Sequence, residues 1–236
     1  MKKLLSIIAC CTILATVVSA DFTHMEMGEG VWMNTPSIRT TYIKEKSTYI
    51  SDETASTNVY VWISVKQSVS VIPNIRLEYV STEEEGKVKG DFEKFKTLDF
   101  ANVKSTLTQF DLIPYYNIFD KTGKIMDLGL GIKFIKSGYI VSATRTFSGY
   151  SREGGLFYFP FLYIRVRAQT AIKNISIESD AKVAIAPLGV DIRTKVDYTL
   201  DFIANHPTIE LGYRIQEDSS NVINASGVYA GLNLYF

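Results

Sequence analysis

Beyond its first twenty residues the chain repeats one pattern: apolar side chains at alternate positions over runs of roughly ten residues, with polar or charged ones between. In residues 57 to 67, Val59, Val61, Ile63 and Val65 share one parity, and Tyr60, Trp62, Ser64 and Lys66 share the other. The period returns in Ile75, Leu77 and Tyr79 against Arg76 and Glu78, and in Phe110, Leu112, Pro114 and Tyr116 against Gln109, Asp111, Tyr115 and Asn117. Met126, Leu128, Leu130, Ile132 and Phe134 enclose Asp127 and Lys133; Leu162, Ile164 and Val166 alternate with Tyr163, Arg165 and Arg167. Ile175, Ile177, Ala181, Val183 and Ile185 then oppose Ser176, Glu178, Asp180 and Lys182, while Ile192, Val196, Tyr198, Leu200 and Phe202 oppose Arg193, Lys195, Asp197 and Asp201. Ile209, Leu211, Tyr213 and Ile215 alternate with Glu210, Gly212, Arg214 and Gln216, and Val228, Ala230, Leu232, Leu234 and Phe236 close the series. Successive side chains of a strand point to opposite faces, so each run predicts a strand with one oily and one polar face.

No run after residue 20 is continuously apolar for the roughly 20 residues a membrane helix needs. A chain that crosses a membrane with strands must close them into a barrel, because lipid cannot satisfy an open sheet edge. The charges within these runs fall on the non-apolar parity, as a lipid-facing wall around a polar interior requires. The expected fold is all-β: an antiparallel transmembrane β-barrel of about 10 strands, with 8 possible, forming one domain over residues 21 to 236. Long polar segments at 35 to 56, 83 to 104 and 137 to 155 alternate with compact ones at 68 to 74, 120 to 123, 170 to 174 and 204 to 207. That alternation predicts short periplasmic turns, longer outer loops and both termini in the periplasm. Only the 187 to 191 connection is short where a long one was allowed. A first strand over 25 to 34 completes the ring, and there Glu29 shares parity with Met25, Met27, Val31 and Met33. It lies either near a membrane boundary, where charge costs little, or beside a bulge that shifts the register. Period alone leaves open a soluble lipocalin-like barrel or sandwich with its aliphatic face turned inward.

Both ends of the chain bear on that choice. Lys2 and Lys3, the apolar stretch from Leu4 to Val18 and the small residues Val18, Ser19 and Ala20 have the layout of an export signal cleaved after Ala20. Cys10 and Cys11 fall inside it, so the mature chain would carry neither thiol nor disulfide. At the other end, Tyr229, Gly231, Leu234 and Phe236 resemble the β-signal by which the outer-membrane assembly machinery recognises its substrates. Gly28-Glu29-Gly30-Val31-Trp32, Pro73-Asn74-Ile75-Arg76-Leu77-Glu78-Tyr79, Asp127-Leu128-Gly129-Leu130 and Glu210-Leu211-Gly212-Tyr213-Arg214, in that order, look similar to an uncharacterised family of small Gram-negative outer-membrane β-barrel proteins of about ten strands. The resemblance implies an integral protein of the bacterial outer membrane and attaches no activity to it. Its implied partners are outer-membrane lipid and lipopolysaccharide, with the barrel assembly machinery and periplasmic chaperones during biogenesis.

Composition narrows the function classes. Lys plus Arg number 25, as do Asp plus Glu, and the signs alternate along the chain. No basic face for nucleic acid is expected. The 14 Tyr and 13 Phe suit the aromatic girdles of a membrane barrel. The two histidines, His24 and His206, fall before the first strand and in a short turn. A Ser-His or Asp-His centre at the outer rim would therefore lack its imidazole, and two distant histidines supply no metal-ligand spacing. No catalytic, cofactor or metal residues are expected. Glu83, Glu84, Glu85, Asp91 and Glu93 make an acidic outer segment that offers oxygen ligands to a hard cation, but without repeated spacing; a solvated loop is the simpler reading.

The lumen holds more chemistry. Lys66, Arg76, Lys133, Arg165, Arg167, Lys182, Arg193, Lys195 and Arg214 share the inward parity with Glu78, Asp111, Asp127, Glu178, Asp180, Asp197, Asp201 and Glu210. A ten-strand barrel is near the size that side chains can fill, so this balance predicts mutual pairing. Phe157, Phe159, Phe161 and Tyr163 share that parity and either line an apolar pocket near the outer mouth or fill the lumen. The expected protein is a non-enzymatic barrel serving envelope integrity or surface interaction. Its alternatives are a narrow channel for small solutes or hydrophobic molecules, and an outer-leaflet lipid-acting or proteolytic enzyme.

Overall fold

The computed structural model describes residues 22–36, 47–51, 56–92, 95–142, 150–185, 188–218 and 224–236. The expected export signal, with its cleavage residue Ala20, lies outside the described residues. The strands are β1 (Phe22–Pro36), β2 (Ser47–Ser51), β3 (Ser56–Gln67), β4 (Asn74–Phe92), β5 (Phe95–Lys121), β6 (Lys124–Val141), β7 (Tyr150–Gln169), β8 (Ile175–Ile185), β9 (Leu188–Thr199), β10 (Thr208–Asp218) and β11 (Asn224–Tyr235). From β3 to β11 each strand pairs antiparallel with the next, and β1 joins β11 to β3. Ten strands thus close into a barrel, while β2 is appended to the far end of β4, with Ser47 opposite Gly90.

Exposure follows the two-residue period. On β9, Asp191, Arg193, Lys195 and Asp197 are buried, and Ile192, Val196 and Tyr198 are exposed. The aliphatic face is therefore outside and the charged face inside, the reverse of a soluble barrel.

The stagger of the ring sets its width. Paired residues run Ser176, Asp197, Glu210, Gly231, Gly30, Tyr60, Val80, Gln109, Ile135 and Phe157. Ser176 itself pairs with Gln169 on β7, so one circuit returns displaced by 169 − 157 = 12 residues. With about 3.3 Å per residue and about 4.8 Å between strands, this stagger tilts the strands by roughly 40° and gives a backbone diameter of about 20 Å. Opposed strands whose side chains meet stand closer than this mean, so the ring is narrower in one direction than in the other.

The two ends differ. At one, tight turns join the strands: Lys121 pairs Lys124 across Thr122 and Gly123, whose φ values of 55° and 73° suit a two-residue hairpin turn. Between β9 and β10 the Leu200 amide donates to the Pro207 carbonyl, and Asn205 and His206 take positive φ. The strand expected to reach residue 202 therefore ends at Thr199. Asp201 is a turn residue, 43% exposed and 3.5 Å from Lys173, and is not part of the lumen. At the other end, much of the expected loops at 83 to 104 and 137 to 155 is strand. β4 and β5 stay paired out to Phe92 and Phe95, and β6 and β7 out to Val141 and Tyr150, with Gly154 and Gly155 inside β7. Glu83 stands 2.7 Å from Lys104 there, and its carboxylate holds that ammonium above its ordinary range. The β8–β9 hairpin, by contrast, closes at Ile185 and Leu188. The barrel has a tall wall of β4 to β7 and a low wall elsewhere.

The bulge expected as one alternative at Glu29 is absent. From His24 to Asn34, β1 pairs β3 without a register shift, the nearest irregularity lying between Phe22 and His24. Glu29 faces outward midway along the Met25 to Met33 run, opposite Val61 and Leu232.

Candidate functional site

The inward residues of β9 index four layers through the lumen. In the layer nearest the tall wall, Arg214 donates to both oxygens of Asp191 at 2.8 and 2.7 Å, and Lys133 reaches the same carboxylate at 3.0 Å. Arg214 also lies over the Trp32 ring, 4.8 Å from its centroid. Gln216 donates to Gln109 at 2.7 Å; their strands, β10 and β5, are five places apart in a ring of ten, so this bond spans the full diameter.

The second layer centres on Arg193, which bonds Asp180 on the neighbouring strand at 3.0 Å and Glu78 at 2.7 Å. Glu78 is on β4, directly across the barrel from β9. Lys182 joins Glu78 to Asp111, the latter at 2.6 Å, and Arg76 donates to Glu78 at 2.6 Å while stacking 3.9 Å from the Trp62 ring. Glu78 is thus shared among three cations, and Asp180 and Asp111 each hold one of them, which is how buried charges are tolerated in so narrow a space.

In the third layer Lys195 donates to Glu210 at 2.7 Å and lies 3.4 Å from Glu178. Tyr60 and Asn233 also donate to Glu210, the latter at 2.9 Å. Beside it, Arg165 donates to Asp127 at 2.6 Å and lies 3.8 Å from Glu26, and Asn117 donates to Asp127 at 3.0 Å. In the last layer Asp197 is fully buried and accepts no hydrogen bond from any described residue; its nearest cations are Lys195 at 3.4 Å and Arg167 at 4.0 Å. Lys66 is a rim residue, partly exposed and 3.9 Å from Glu26.

The structure thus gathers Arg76, Glu78, Asp111, Asp127, Lys133, Arg165, Arg167, Asp197, Glu210 and Arg214 inside the barrel and leaves Asp201 out. Sequence reasoning missed Glu26, whose parity with His24 was available, and the glutamine bridge, which no local pattern signals. A cavity of about 40 Å³ remains near the tall wall, bounded by Ile135, Phe159, Phe161, Lys133 and Asp191, and one of about 270 Å³ at the short-turn end beside Arg167, Ser176 and Thr199. Phe161 and Tyr163 are buried filling.

The last strand locates the other singled-out residues. Tyr229 meets the Tyr60 ring edge-on at 5.5 Å. Gly231 pairs with Gly30 and Glu210 at a close approach of three strands, where a Cβ would come 2.6 Å from the Glu29 carbonyl. Leu234 pairs with Met27, and Phe236, 55% exposed, exchanges two backbone hydrogen bonds with Met25. His24 lies 3.3 Å from Glu26 at the short-turn end, and His206 is in the turn after β9.

No protein-family model matches the chain, and no curated protein sequence does. Solved structures do. The outer-membrane protease OmpT from Escherichia coli superposes with a TM-score of 0.52 at 10% identity, over 93% of this chain and 99% of that one. The translocator domain of the autotransporter NalP from Neisseria meningitidis gives 0.44 at 10% identity, over 95% and 93%. The β domain of the Bordetella autotransporter BrkA gives 0.40 at 8% identity, over 90% and 99%. At such identities the likeness speaks to the fold alone.

Proposed function

We propose that this chain, which has the fold of the outer-membrane β-barrels, is an integral outer-membrane protein with a closed lumen, acting in envelope integrity or surface interaction without catalysis. The observation that carries this reading is the pair of bridges across the full diameter, Arg193 to Glu78 and Gln216 to Gln109, each 2.7 Å long. Side chains bonded wall to wall obstruct an aqueous path at those levels.

Because short turns of such barrels face the periplasm, the tall wall of β4 to β7 would stand outside the cell and both termini inside the periplasm. A wall raised above the membrane is the surface available to lipopolysaccharide or a surface partner. In this orientation His24 and His206 both sit on the periplasmic side, which supports a non-enzymatic role, since a rim hydrolase of the Ser-His or Asp-His type needs an imidazole outside. Tyr229, Gly231, Leu234 and Phe236 would serve as the signal read by the assembly machinery.

A narrow channel is the second reading, favoured by the cavity of about 270 Å³ at the short-turn end. Planar-bilayer recording of the refolded protein separates the two, once heat-modifiable gel mobility has shown a folded barrel. The closed-lumen reading expects a silent bilayer. Reproducible conductance steps whose ion selectivity changes on Arg193→Gln would overturn it.

A further inference from the structure

Among the described residues, the lipid-facing wall carries one charge at mid-depth. On β1 the outward run begins at Met25, in register with Val65 beside the short-turn end, and stops at Met33, in register with Thr57. Glu29 is four residues from each limit (29 − 25 and 33 − 29). A strand tilted roughly 40° climbs about 2.5 Å per residue, so Glu29 lies about 10 Å from both boundaries, at the middle of an apolar band about 25 Å tall. Its neighbours across the ladders are Val61 and Leu232, and its side chain makes no hydrogen bond or ion pair with another described residue.

The wall around it also differs from the rest. Phe110, Tyr116, Tyr198 and Tyr213 project outward elsewhere on the barrel. Among the described outward residues of β1, β3 and β11, only the terminal Phe236 is aromatic. Aromatic belts belong to walls that meet lipid, whereas a smooth surface such as Val59, Val61 and Ala230 admits close approach of another protein.

We propose that the β3–β1–β11 wall is the interface of a homodimer within the membrane, in which two Glu29 carboxyl groups hydrogen-bond to each other. An ionised carboxylate facing hydrocarbon is costly and must be neutralised or paired. A two-fold axis along the membrane normal preserves depth, so a residue at mid-depth that lies on the contact line meets its own copy. In the acid form a carboxyl group both donates and accepts, which makes it complementary to itself. A second copy offers nothing else at that level: among the described residues, outward lysines lie only towards the rims, at Lys104, Lys124 and Lys136, and no arginine faces outward.

This inference rests on the barrel spanning a membrane. Cys10 and Cys11 are the only native cysteines; with both changed to serine, Leu232→Cys, Val61→Cys and Ile164→Cys on β7, five strands from Glu29, serve as single-cysteine probes in intact membranes treated with a short bismaleimide. Leu232→Cys and Val61→Cys should give a product of twice the chain mass, and Ile164→Cys should not. Adding Glu29→Leu to the Val61→Cys probe should lower its yield at least tenfold, whereas Glu29→Gln, whose amide donates and accepts, should retain it. Leucine at a lipid-facing position does not threaten folding, and heat-modifiable mobility of each variant reads the barrel separately. Monomers only, a cross-linked product of another mass, or a yield indifferent to Glu29→Leu overturns the dimer while leaving the membrane barrel intact. A chain recovered outside the membrane fraction overturns both.

Discussion

Lys182 is fully buried in the lumen, bonded to Glu78 and Asp111 from two strands on the far wall. Replacing it by methionine keeps the volume and leaves two carboxylates short of a cation. Breaking a buried pair in this way costs about 3–5 kcal/mol, so Lys182→Met should lower the urea midpoint of the refolded barrel. Adding Asp111→Asn, whose carboxylate pairs with no other cation among the described residues, should recover part of the loss; an unchanged midpoint in the single variant would mean that the network contributes little to stability. At this scale the charged face was legible in the sequence, because parity alone tells which side of a strand a residue occupies. The partners were not, since Glu78 and Arg193 are 115 positions apart in the chain (193 − 78) and meet only when the ring closes. Asp201 had the right parity but lies past the end of its strand, where a turn held by Leu200 and Pro207 takes it outside.

Among the elements, β3 and β8 match the runs read at 57 to 67 and 175 to 185 to within a residue or so, because one face of each meets apolar surroundings and the other a charged lumen. The far halves of β4 to β7 escaped that reading because residues 83 to 104 and 137 to 155 carry no sustained alternation of oily and polar positions. The pairing in the lower half should not depend on these extensions. β3 pairs β4 only as far as Val59 with Ser81, and β4 to β5 pairing continues from Ser81–Thr108 outward, flanked by β2 on β4 and by β6 on β5 as far as Val103. Excising residues 85 to 104 and joining the ends by a two-residue turn should leave circular dichroism, heat-modifiable mobility and the urea midpoint unchanged, while removing the outer wall proposed for surface interaction. Failure of the shortened chain to fold would show that the tall wall holds the barrel together.

For the whole molecule, ten strands and a stagger of twelve residues set the mean diameter, and arginine and glutamine bridge the lumen where opposed walls approach closer than that mean. Closure itself depends on β1 meeting β11, with Gly28, Gly30 and Gly231 keeping the seam thin enough for Trp62 and Tyr60 to lie against it. Phe236 adds two backbone bonds to that seam, and its exposed ring packs little. Deleting Phe236 should therefore slow assembly in cells, read as accumulation of unfolded chain, while the purified variant refolds in detergent to the same β-rich spectrum. Equal defects in both settings would count against a signalling role for the residue.

By itself the sequence determined the strand period, the face each side chain takes, the even ring of about ten strands and the charge balance of the interior. These are local properties, written in the alternation of oily and polar residues and in the turn residues between runs. Only the tertiary structure decided the stagger of the ring, the pairs that cross the lumen, the tall and low walls, and the depth of Glu29. Each of these depends on how far one strand slides past the next, a quantity summed round the whole ring that no single run of residues encodes.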